Sequence, residues 1–248
     1  DGFSLGADSD VNTNAEAFVS WNWKAGGSAS SNSNGSITSS VLANTDAGFS
    51  IGTFTGTGSA GTLGHGLSSA PEWIILKSRG STADWLIYHK DITDSPTHIM
   101  FLNATNKNTD QSRFNDTNPT SSVFSVGPNN AENQSGINYV FYCFHGVEGY
   151  SKFGSYVGNA QNYSNGTFVY TGFRPSLVVV KADGTTSNWV VTDNKRASSF
   201  NGDTARLYWN TAGQETAYNS NRNVELFSNG FMVHGNSASD NSNRINES

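Results

Sequence analysis

Ala70-Pro71-Glu72-Trp73-Ile74-Ile75-Leu76-Lys77 returns 104 residues later as Arg174-Pro175-Ser176-Leu177-Val178-Val179-Val180-Lys181. Each copy is a short apolar run rich in branched side chains and opened by a proline. That pattern predicts a buried strand, with the proline at the strand start, where it costs no ladder bond. The similarity extends outward from this pair. Asp84-Trp85-Leu86-Ile87 matches Asn188-Trp189-Val190-Val191 at the same offset. Gly52-Thr53-Phe54-Thr55-Gly56 matches Gly154-Ser155-Tyr156-Val157-Gly158 at 102, and Phe124-Ser125-Val126-Gly127 matches Phe231-Met232-Val233-His234 at 107. An offset that drifts slowly is what loop insertions leave in a repeated unit.

A third, partial copy precedes these. Phe3-Ser4-Leu5-Gly6 and Phe18-Val19-Ser20-Trp21-Asn22-Trp23 match Phe124-Ser125-Val126-Gly127 and residues 139–144, both at an offset of 121. Residues 1–24 therefore read as the tail of an earlier β unit. Residues 25–47, with Gly26-Gly27-Ser28-Ala29-Ser30-Ser31-Asn32-Ser33-Asn34-Gly35, read as a flexible linker. Residues 48–147 and 148–248 read as the two full units. The second unit reaches Ser248 before its matching final strand. Two expectations follow: the strand near Phe18–Trp23 pairs beside the last unit, or a following segment supplies the strand.

Further strands are expected wherever period-2 patterns lie between turn residues, as at residues 85–89, 123–126, 139–144, 168–171, 189–192 and 206–209. No window sustains a 3.6-residue period. The fold class expected is all-β, with two tandem antiparallel β-sandwich units of jelly-roll-like form. Composition agrees. Charged residues are only 14%, and the balance is filled by 26 Gly and by Asn, Ser and Thr, which compete with helical hydrogen bonds. Fifteen Phe, nine Tyr and six Trp still supply a core. The net charge of −6 and the scattered basic residues argue against a nucleic-acid partner. No apolar run reaches membrane-spanning length, so no membrane insertion is expected. The one cysteine, Cys143, excludes an intrachain disulfide and sits in an apolar run as a small buried hydrophobe.

Few constellations carry chemistry. Asp8, Asp10 and Asn12 alternate as oxygen ligands do in a calcium loop, which makes calcium the one cofactor to consider. The plainer reading is a turn that uses Asp and Asn. A pair such as Glu72 and Asp84 is the only carboxylate combination considered for glycoside hydrolysis. His65, between two glycines, reads as a turn residue. Among the tryptophans, Trp85 and Trp189 recur at matching positions and belong to each unit's core. Trp73 and Trp209 are replaced by Leu177 and Leu102, or nearby residues, in the other copy, so they are freer to be specific to one unit. They are the candidate ligand-binding residues, because aromatic faces stack on sugar C–H surfaces.

Residues 1–6 and 18–27 resemble the closing strands of SPRY-like or concanavalin-like sandwich domains. Residues 65–79, Asn118–Phe124 and Gly149–Tyr156 resemble an uncharacterised β-sandwich repeat of large tail and virion structural proteins of marine bacteriophages. The resemblance covers nearly the whole chain and implies a virion-surface or extracellular setting. It implies no catalytic residues. The function expected is a non-catalytic virion-surface or tail-fibre module that adheres to a host-surface glycan. Other virion proteins are the expected neighbours, and a homo-oligomer is compatible. A structural spacer or capsid decoration is the alternative, and a polysaccharide-degrading enzyme a more distant one.

Overall fold

The computed structural model describes residues 2–161, 165–196, 206–213, 215 and 222–235. Within them the chain is all-β, with sixteen strands in antiparallel sheets and two short helices. The first unit carries β1 (Ser30–Asn32), β2 (Ser39–Asn44), β3 (Phe49–Thr55), β4 (Gly61–Gly64) and β5 (Trp73–Ser78). It continues with β6 (Leu86–His89), β7 (His98–Phe101), β8 (Thr109–Asp110), β9 (Val123–Val126) and β10 (Asn138–Phe144). The second unit carries β11 (Thr167–Tyr170), β12 (Leu177–Val180), β13 (Val190–Asp193), β14 (Arg206–Tyr208), β15 (Arg222–Phe227) and β16 (Gly230–Gly235). The helices are α1 (Ser9–Asn12) and α2 (Asn130–Asn133).

Eight strands form one sheet in the order β1-β2-β3-β10-β5-β6-β7-β8. Its strands are apolar at consecutive positions because both faces are covered. Ile74, Leu76, Leu86, Tyr88, Ile99, Tyr139, Phe141 and Cys143 turn to one face, against Leu63, Phe124 and Val126 of the β4–β9 pair. Trp73, Ile75, Ile87, Met100 and Phe144 turn to the other face. That second face meets Val179, Trp189 and Trp209 of the second unit. The sheet β12-β13-β14 then packs through Val178, Val180 and Val190 on Val224, Leu226, Phe231 and Val233 of the sheet β11-β16-β15. Four layers thus stack, two from each unit. Gly52 matters locally: a Cβ there would stand 2.1 Å from the Phe141 ring, so only glycine lets β3 pass under that side chain.

The repeat persists down to single hydrogen bonds. In β5–β6, Ile74 faces Tyr88 and Leu76 faces Leu86; in β12–β13, Val178 faces Thr192 and Val180 faces Val190. The Trp85 N–H donates to Asn103 Oδ1 at 3.0 Å, and the Trp189 N–H to Asn210 Oδ1 at 2.9 Å. Each asparagine then donates back, to Asp84 at 2.9 Å or to Asn188 at 2.8 Å. The third copy is equally literal. Asp8 caps α1 by accepting from the Asp10 N–H, as Asn129 caps α2 by accepting from the Ala131 N–H 121 residues later. Ala15 has φ 66° where Gly136 has φ 77°.

Two expectations need correction. Residues 25–47 are not a linker. Ser30–Asn32 and Ser39–Asn44 are β1 and β2 of the large sheet, and Ile37 and Val41 are buried in its core. Two apolar anchors suffice there because β3 supplies the ladder, so polar composition did not mean a free chain. Residues 18–23 form no strand and do not pair beside β12 in their own chain. Trp21 instead lies across the junction between the units, its indole N–H donating to Asp193 Oδ2 at 3.3 Å. The positions that would continue the second unit past Gly235, including the loop matched to residues 128–136, lie outside the described residues.

Candidate functional site

Trp73 and Trp209, read as candidate sugar platforms, are not open to a ligand in that way. Trp73 is only 8% exposed, and its ring stacks on that of Trp209 with centroids 6.1 Å apart and planes 6° apart. Phe144 and Phe153 approach Trp73 at 5.0 and 5.9 Å, while Trp21 meets Trp209 edge-on at 6.3 Å. Both tryptophans are specific to one unit, as their sequence suggested. The reason is that they meet each other: two copies of one unit, packed face to face, need side chains at the junction that neither copy needs internally. Aromatic stacking of this kind adds roughly 0.5–1.5 kcal/mol per pair beyond the area buried.

Hydrogen bonds reinforce this seam at one edge. The Asp183 carboxylate accepts from the Thr93 N–H at 2.8 Å and from its hydroxyl at 2.9 Å. The Asn108 N–H donates to Asp183 O at 2.8 Å and the Ser187 N–H to Thr105 O at 2.9 Å. The Trp189 indole N–H donates to Phe101 O at 2.8 Å. Lys181 Nζ reaches Thr105 O, Ala182 O and Ser187 Oγ. Burial in this seam pulls the Lys181 pKa down to about 8.

The calcium-loop residues have local work. Asp8 Oδ1 accepts from the Asp10 N–H at 2.9 Å, and the Asn12 side-chain amide donates to Gly6 O at 2.7 Å. The two-residue spacing of Asp8, Asp10 and Asn12 is therefore a capping pattern, shared with the Asn-rich α2. Among the described residues, no group of three or more His, Cys, Asp or Glu is placed to hold a metal ion. Glu72 and Asp84 are also engaged as acceptors. Glu72 pairs with Lys90 at 2.6 Å and takes the Gly146 N–H at 2.7 Å, and Asp84 takes the Asn103 amide.

Outside residues 1–24 and Tyr150, the strongly exposed aromatic rings among the described residues lie on β11. Phe168 and Tyr170 stand two residues apart on one face of this outer strand and are 43% and 60% exposed. Phe227 meets Phe168 edge-on at 5.9 Å. Lys152 Nζ donates to Tyr170 O at 2.8 Å and lies 5.4 Å from its ring centroid. This gives a strip of two rings bordered by an ammonium group. In the first unit the matching positions on β4, fixed by Leu63 opposite Phe124 and Val169 opposite Phe231, are Thr62 and Gly64. There the outer edge is closed, because the Ile37 N–H donates to Thr62 O at 3.0 Å and Ser36 bonds Thr62. The signal for this strip was present in the sequence: aligned at 106, Phe168 and Tyr170 replace Thr62 and Gly64. Period 2 alone did not say which face was covered.

A family model matches residues 1–246, taking in the closing segment and both units together. The chain belongs to the DUF7483 family, described as a domain of unknown function. No curated protein and no solved structure matches it. The tryptophan seam and the aromatic strip therefore both fall inside one stretch of the family. No helix among the described residues is long and apolar enough to cross a membrane.

Proposed function

We propose that this chain is a non-catalytic module of a multi-unit surface protein, of the virion or tail-fibre kind its repeats resemble. In this reading β11 offers its aromatic strip to a host-surface glycan. The supporting observation is the pair Phe168 and Tyr170, exposed at positions where the first unit has Thr62 and Gly64. An exposed apolar patch rimmed by polar groups is the usual mark of a binding surface. Ring faces accept sugar C–H groups, and Lys152 adds a donor at the rim. A glycan array probed with the intact chain tests this. Binding that falls at least tenfold in Phe168→Ala and Tyr170→Ala, with unchanged thermal unfolding, is the expected result. Binding that ignores both substitutions, or no binding at all, overturns it.

A second reading, a structural spacer or capsid decoration, is favoured by the Trp73–Trp209 stack, which commits the largest rings to holding two units rigid. A blank glycan array together with one cooperative unfolding transition for both units would select it.

A further inference from the structure

We propose that residues 8–23 of one copy of this chain complete the second unit of another copy, adding a strand along β12. The argument begins with the first unit. There β5 is a central strand, flanked by β6 on one side and β10 on the other. Its counterpart β12 pairs with β13 alone among the described residues and so presents an open edge. Open edges accept a further strand readily.

The segment that fits such an edge is already in the chain. Residues 6–16 reproduce the conformation of residues 127–137, down to the cap, the extended residue that ends the turn and the positive φ at Ala15. In the first unit that conformation leads directly into β10. The sequence that follows Ala15, Phe18–Trp23, aligns on Tyr139–Phe144. Where Tyr139 is fully buried, Phe18 is 53% exposed, and Trp23 is 42% exposed where Phe144 is buried. The segment thus has the shape of a closing strand and pairs with no sheet among the described residues.

Register transfers without adjustment. Phe141 faces Leu76 and Cys143 faces Ile74 in β10–β5, so Ser20 would face Val180 and Asn22 would face Val178. Those two polar residues replace Phe141 and Cys143, which would be costly against an apolar core. Along the row of Asn22 the second unit's core is polar, while along that of Ser20 it is Val180, Val190 and Tyr208. Thr192 and Arg206, both buried, stand where the first unit has Tyr88 and Ile99. The Thr192 hydroxyl is fully buried and has no hydrogen-bond partner. Asn22 suits that row, and Ser20, small and with a hydroxyl able to bond its own backbone, is tolerated in the other. Pairing takes Trp21 and Trp23 off their own chain's seam and sets them beside Val179 and Leu177 of the neighbour. Copies joined this way form a head-to-tail array, because the donor and acceptor surfaces differ.

The test is a register-specific cross-link in the full chain. Ser20→Cys protein is mixed with Val180→Cys protein and oxidised; native Cys143 is fully buried and stays out of reaction. Directly opposed strand residues lie within disulfide reach, whereas a partner three residues along does not. The expected result is a disulfide-linked pair of chains, formed at least tenfold faster than with Ser20→Cys and Leu177→Cys. Wild-type chain is also expected to sediment as species that grow with concentration. Equal cross-linking of the two mixtures, linkage only within a chain carrying both cysteines, or a wild type that stays monomeric overturns the proposal.

Discussion

The two units share a register and differ in what closes them. In the first, every strand of the central sheet from β2 to β7 has a neighbour on each side, the edge of β4 is capped by Ser36 and Ile37, and α2 leads into β10. In the second, the same backbone scaffold recurs with β12 and β11 open at their edges among the described residues. The lesson is that residues identical in both units keep the fold, and residues that differ show what each unit does with its surroundings. Trp85 and Trp189 hold equivalent turns through equivalent asparagines, Asn103 and Asn210. Trp73 and Trp209 join the units, and Phe168 and Tyr170 face out.

The largest expected break in this comparison comes from Trp73→Ala. It removes stacking on Phe144, Phe153 and Trp209 together and leaves a cavity in the seam. A loss of about 3–5 kcal/mol is expected, measured by denaturant unfolding. The single transition is expected to split, because the second unit loses the surface it leans on.

A buried carboxylate of the first unit gives the next effect. The Glu132 carboxylate is fully buried and accepts the Phe114 N–H at 2.8 Å and the Gly127 N–H at 3.1 Å. Burial pushes its pKa up to about 6, although both hydrogen bonds pull it back. The folded state thus holds the proton more tightly than the unfolded chain does. Its stabilising contribution is complete below about pH 4.5 and is lost as pH rises through 6, a change of about 2 kcal/mol. Unfolding measured across this window is expected to show the step. Glu132→Gln is expected to abolish it and to cost about 1–3 kcal/mol, since one of the two N–H groups then faces an amide N–H.

The smallest effect sharpens the equivalence of the units. Lys90 and Glu72 form an ion pair at 2.6 Å where Asn194 and Ser176 share a hydrogen bond at 3.3 Å. Replacing the first pair by the second, as Glu72→Ser with Lys90→Asn, is expected to change stability by less than about 1 kcal/mol, because partly exposed ion pairs contribute little. A thermal scan suffices to check it.

Much of the fold was legible in the sequence because the chain states its pattern twice. The offset of 104 made β12 the counterpart of β5; the two matched tryptophans, read as core residues of each unit, instead lie in the layer between the units, with equivalent asparagine bonds. Less was legible where a segment relies on neighbours. Ser30–Asn32 and Ser39–Asn44 look like spacer because it is mainly ladder hydrogen bonds, β1 to β2 and β2 to β3, that place them. His65, read as a turn residue between glycines, is buried; its ring accepts from the Leu67 N–H at 3.1 Å and contacts Thr120 O. Of the candidate site, sequence identified Trp73 and Trp209 as particular to their units but not that they touch. Period 2 tells which residues share a face, and only the packed layers tell what covers it.

The account rests on the two units being one rigid body, closed by rings that each unit carries at one position only. Calorimetric unfolding of the intact chain, with exchange of the Ile74 and Val178 amides, which face Tyr88 and Thr192 in their ladders, followed in parallel, addresses this directly. One transition with coincident loss of both amides is predicted. Two separated transitions, with the Val178 amide exchanging while that of Ile74 remains protected, would contradict it.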